Sequence, residues 1–167
     1  MTWLARLIQR LKGLFGGAGP SPRPMGCIEL WTMPPGPGPN PLDLPAGAPS
    51  VEFTVWDATG VPPPPFALAP NSRIQTQGVF TGLDCGFKLE IAILAGTARQ
   101  VAVKLVHFAR PATVEAFEST GALAQSAVMG PTQNTAQLIT LVGKSINRVV
   151  VTPPSDETLL LEFCHSR

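Results

Sequence analysis

The chain has 167 residues, of which 44% are apolar and only 14% charged. That composition suits one globular body with a lightly charged surface and excludes a disordered polar chain. The net charge of +1 is unevenly placed: residues 1–25 carry Arg6, Arg10, Lys12 and Arg23 with no acid, and the remainder is mildly acidic at −3, which excludes a basic nucleic-acid-binding body.

The opening stretch, WLARLIQRLKGLFGG, predicts an amphipathic helix over residues 1–16. Trp3, Leu4, Leu7, Ile8, Leu11, Leu14 and Phe15 recur at the i, i+3, i+4 spacing of one helical face, and Arg6, Gln9, Arg10 and Lys12 lie off it. Thr2 can cap the start, Gly16 and Gly17 end the pattern, and residues 17–25 read as a Pro/Gly linker. No apolar run reaches the ~20 residues of a membrane span. Arg6, Arg10 and Lys12 interrupt the apolar stretch that a secretory signal requires, so an intracellular or membrane-peripheral protein that keeps this segment is expected. Such a helix has three destinations: a protein partner, an anionic membrane surface, or its own body. Docking on a protein assembly is the favoured one. The anchors are then Trp3, Leu4, Leu7, Ile8, Leu11, Leu14 and Phe15, with Arg6, Arg10 and Lys12 setting orientation.

From Cys27 onward the hydrophobic period changes to two. VEFTVW (51–56), FKLEIAI (87–93) and VAVKL (101–105) alternate apolar and polar residues, and further strands are expected over 27–32, 112–118, 122–129, 136–142, 146–152 and 158–164. Turns such as STGA, VGKS and PPSDE separate them. About nine antiparallel strands with no intervening helical pattern predict an all-β sandwich over residues 26–167. Residues 33–50 and 58–72 are Pro-rich and read as long loops.

Two phrases in the second half carry a family resemblance. Val114, Ala116, Phe117, Glu118 and Gly121 fit one strand-turn pattern, and Leu141, Gly143, Ile146, Val149 and Val151 fit a second. Together they resemble the jelly-roll β-sandwiches of the galactose-binding-like, carbohydrate-binding-module type. The resemblance implies that CIELW near the start and LLLEFC at the end are paired terminal strands. It also implies sugar binding, a structural calcium, or an adhesion or assembly role. Fold alone does not choose among these.

The cysteines lack the paired spacing of a zinc site. Strand parity puts Cys27 with Glu29 and Cys164 with Glu162, so neighbouring terminal strands would bring Cys27 and Cys164 within disulfide range; free thiols are the alternative. Asp84 and Glu162 are the expected ligands should a calcium be held. Trp31 and Trp56 fall at outward strand positions, where Trp marks a binding surface or is covered by Pro-rich chain. His107 shares parity with core positions and reads as a hydrogen-bonded strand-end residue. No nucleophile elbow and no marked carboxylate pair occurs, so no catalytic residue is expected. The sequence therefore predicts a non-catalytic accessory or structural subunit, attached to a larger assembly through residues 2–15 and able to self-associate. A carbohydrate-binding module using Trp31 and Trp56 is the alternative.

Overall fold

The computed structural model describes residues 26–58, 66–155 and 157–166. The helix and linker expected over 1–25 lie outside the described residues. Within them the protein is all-β and every strand pairing is antiparallel. The strands are β1 (Gly26–Glu29), β2 (Gly36–Gly38), β3 (Val51–Ala58), β4 (Phe66–Leu68), β5 (Ser72–Gln77), β6 (Phe80–Asp84), β7 (Lys88–Ile93), β8 (Ala98–His107), β9 (Thr113–Glu118), β10 (Leu123–Val128), β11 (Gln137–Thr152) and β12 (Thr158–Ser166).

Three expectations need correction. The strand predicted over 27–32 stops at Glu29, and Leu30–Thr32 forms a single 3-10 turn closed by the Thr32 hydroxyl donating to the Glu29 carbonyl at 2.7 Å. The Pro-rich stretches are not featureless, because β2, β4 and the first residue of β5 lie in them. Side chains there replace the backbone bonds that proline cannot make. Asn40 donates to the carbonyls of Val55 (2.8 Å) and Ala69 (2.7 Å) and accepts from the Val55 N–H (3.0 Å), and Ser72 donates to the Pro39 carbonyl at 2.6 Å. Finally, 136–142 and 146–152 are not two strands around a turn but the two ends of one strand, β11.

β11 organises the fold. Residues Gln137–Val142 pair with β8, and residues Arg148–Val151 lie between β7 and β9. One continuous sheet therefore folds over on itself. One layer runs β2-β5-β6-β12-β8, with β1 also on β12, and the other runs β4-β3-β7-β11-β9-β10. Phe53 of one layer meets Phe163 of the other edge-on, ring centres 6.1 Å apart. Leu30, Leu83, Leu105 and Leu160 join Leu89, Ile91, Ile146 and Val149 around them, all fully buried. At about 1.5–3 kcal/mol per buried large side chain, this single core is what holds the layers together.

The bend of β11 costs ladder bonds, and Glu118 replaces them. Its carboxylate accepts from the Lys144 N–H (2.9 Å), the Ser145 N–H (2.5 Å) and the Ser145 hydroxyl (2.7 Å). Those donors hold the Glu118 carboxyl below its ordinary range, the Lys144 N–H foremost and the Ser145 hydroxyl next. Gly143 is needed at the bend because a Cβ there would come within 2.7 Å of Ile146 and 2.8 Å of Glu118. His107 is fully buried at the end of β8, with Nε2 3.0 Å from the Gly130 carbonyl.

Candidate functional site

A β-bulge on β12 shapes an outward surface of the described residues. The pairing with β8 runs Leu160↔Leu105 and resumes at Glu162↔Lys104, leaving Leu161 as the extra residue. A bulge re-aims side chains. Leu160 and Phe163 point into the main core, while Leu159 and Leu161 join a small outer cluster with Val106, Phe80, Phe108 and Ala136. Glu162 faces outward too, since its carboxylate reaches the Lys104 ammonium at 4.0 Å. An apolar residue and a carboxylate thus stand side by side on one face. Gly82 of β6 makes room, because a Cβ there would sit 2.5 Å from the Leu160 carbonyl oxygen and 3.0 Å from Leu161.

Around this floor lies a groove of about 350 Å³, lined by Trp31, Val79, Phe80, Thr81, Lys104, Ala136 and Leu161. The 3-10 turn after β1 carries Trp31 to its rim, where the indole is 38% exposed with the Lys104 ammonium 5.0 Å from the ring centre. Val79, at 89% exposure, and Phe80 come from the β5–β6 hairpin, whose turn uses Gly78 at a positive φ of 61°. Leu138 of β11, opposite Lys104 in register on β8, extends the exposed apolar surface.

Trp56 lies elsewhere. It sits on β3 beside β7, half-buried, with the Lys88 ammonium 4.4 Å from its ring centre and 5.6 Å from that of Phe66. Its indole Nε1 is buried with no hydrogen-bond partner among the described residues. The two tryptophans therefore do not form one platform. Trp31 faces outward from the β12 layer and Trp56 from the β3 layer.

A disulfide joins Cys27 to Cys164, which are register partners on β1 and β12. Cys85 is buried in the core, and burial foremost pushes its thiol well above the ordinary range. The two carboxylates expected to share a cation are not brought together. Asp84 pairs opposite Leu159 and accepts from the Gly86 N–H at 3.0 Å, whereas Glu162 pairs with Lys104 and Glu29. Among the described residues, the set of three potential metal ligands that does converge is Cys27, Glu162 and Cys164. The tail residues Trp3, Leu4, Arg6, Leu7, Ile8, Arg10, Leu11, Lys12, Leu14 and Phe15 lie outside the described residues. No described helix is long and apolar enough to cross a membrane.

Sequence reasoning missed Phe80, Thr81, Lys104 and Leu161 as groove residues. Residues 80–84 (FTGLD) lack the alternation that marks a strand, and a bulge leaves no trace in a run of LLLEF.

No family model and no curated protein matches the chain. Among solved structures it is similar to a mutant of CBM29-2, a family 29 carbohydrate-binding module studied for ligand recognition, at 8% identity and a TM-score of 0.40. That likeness covers 69% of this chain and 90% of the module.

Proposed function

We propose that residues 26–167 form a non-catalytic recognition domain of jelly-roll type that binds carbohydrate in the groove beside Trp31. The supporting observation is the composition of the groove lining. Trp31 and Phe80 offer apolar ring surface, and Thr81 and Lys104 offer polar groups within the same groove. Sugars present an apolar C–H face ringed by hydroxyls, so a site for them needs both kinds of group at fixed spacing. Phe80, Thr81 and Lys104 stand on strands, which hold such spacing better than loops do, and Trp31 stands on the 3-10 turn beside them. Trp31→Ala is expected to weaken binding of the best ligand on a glycan array at least about tenfold by titration calorimetry, with the thermal melt unchanged. A flat array, or equal binding by Trp31→Ala, withdraws the reading.

Residues 1–16 have a separate role in this proposal: a docking helix on the linker 17–25 that attaches the domain to a larger protein assembly. The +4 charge and one-sided apolar pattern support it. Leu7→Asp and Leu11→Asp are expected to release the protein from its assembly without changing the melt of the body. Unchanged association in both removes the role.

A further inference from the structure

Beside the groove, and independent of what the groove binds, lies a cluster whose chemistry the disulfide does not exhaust. β1 and β12 set Cys27 directly opposite Cys164 and Glu29 opposite Glu162. The sulfurs of both cysteines and a carboxylate oxygen of Glu162 lie within 4.8 Å of one another. Glu162 is held in a particular way. Its Oε2 faces the Lys104 ammonium at 4.0 Å, while Oε1 approaches Cys164 Sγ at 3.1 Å. A disulfide sulfur carries no proton, so in the oxidised protein this close approach is not a hydrogen bond and gains the carboxylate nothing. In a reduced protein the same oxygen faces a thiol, or a metal ion held between two thiolates.

We propose that the reduced protein binds one zinc ion through Cys27 Sγ, Cys164 Sγ and one oxygen of Glu162, so that the cluster alternates between a metal-free disulfide and a metal site. Two thiolates and a carboxylate form a borderline-soft donor set that suits zinc and leaves a fourth position for water. Lys104 meets the other carboxylate oxygen, Oε2, at 4.0 Å, as an outer-shell partner does. In the interconversion a dithiol reductant supplies two electrons and two protons. The S–S bond breaks, both sulfurs become thiols, and zinc binding releases two protons to solvent. In a tetrahedral site the sulfurs part to about 3.8 Å. The exposed position of Cys27 leaves its side chain room for that rotation. Cys85, buried in the core, supplies no ligand.

The test uses cobalt(II) as a spectroscopic stand-in for zinc. The full chain, reduced by an excess of a phosphine and kept anaerobic, is titrated with cobalt and then zinc; the oxidised chain is titrated in parallel. One equivalent of cobalt is expected to give thiolate-to-metal charge-transfer absorption in the reduced protein only, and zinc is expected to displace it. Glu162→Gln should retain the absorption and weaken binding about tenfold or more. Cys164→Ser should abolish it, and the wild-type comparison of reduced with oxidised chain stands even where that variant fails to fold. Two newly titratable thiols without a cobalt band would overturn the proposal. So would equal affinity in Glu162→Gln, because the carboxylate would then not be a ligand.

Discussion

Leu160 and Leu161 are consecutive on β12 and live in different parts of the molecule. Leu160 is fully buried in the main core opposite Leu105, while Leu161, the bulged residue, packs with Leu159, Val106 and Phe80 on the outer face and lines the groove. In a regular strand, parity alone would put neighbours on opposite faces. Here the bulge adds a second outward residue, so Glu162 follows Leu161 on the same side. The inner face is closed by two layers and answers only to packing. The outer cluster is covered by side chains from a hairpin and a strand end, and it keeps a groove open beside it.

The largest effect that separates the two faces is a matched pair of truncations. Leu160→Ala empties a site walled by both layers and is expected to cost about 2–5 kcal/mol, read from the denaturant midpoint at constant slope. Leu161→Ala removes the same atoms from a site that water can fill from the groove, and is expected to cost under about 2 kcal/mol. Equal losses would mean that the outer cluster is as closed as the core. In that case the groove is not an open feature of the face.

The same contrast explains what the sequence made legible. Inner-face positions announce themselves by alternation: Val51, Phe53 and Val55 on β3, and Val101, Val103 and Leu105 on β8, are all buried as the period-two pattern requires. Pairing of the two chain-terminal strands followed from a family resemblance, and the register Cys27↔Cys164 agrees with it. Four short or irregular strands (β2, β4, β5 and β6) leave no period-two signal in the sequence. β2 is GPG, β4 has three residues, and RIQTQ and FTGLD carry too few apolar residues to show a period. VGKS has the composition of a turn, so the sequence divides β11 into two strands, whereas the lost backbone bonds are returned by Glu118 from β9, a partner distant in sequence. The groove was illegible for a related reason. Its residues come from β6, β8, β12, the turn after β1, the β5–β6 turn and the residue before β11, and only Trp31 stands out in isolation.

The smallest effect concerns the bend itself and has a definite sign. The folded Glu118 carboxyl titrates below its unfolded value because the Lys144 N–H, and next the Ser145 hydroxyl, bind its charged form. The stability it contributes is therefore fully present above the unfolded glutamate range. That contribution is lost as pH falls through the lowered folded value. Glu118→Gln keeps the shape and one acceptor oxygen but removes the charge, so the variant is expected to be less stable than wild type at neutral pH. The gap should narrow as the medium is acidified below about pH 4. Denaturant midpoints of the two proteins, measured side by side down the pH scale, provide the check. A gap independent of pH would mean that the bonds to Lys144 and Ser145 serve the neutral carboxyl equally well. The bend of β11 would then depend on Gly143 and on packing around Ile146, with no electrostatic contribution from the partner strand.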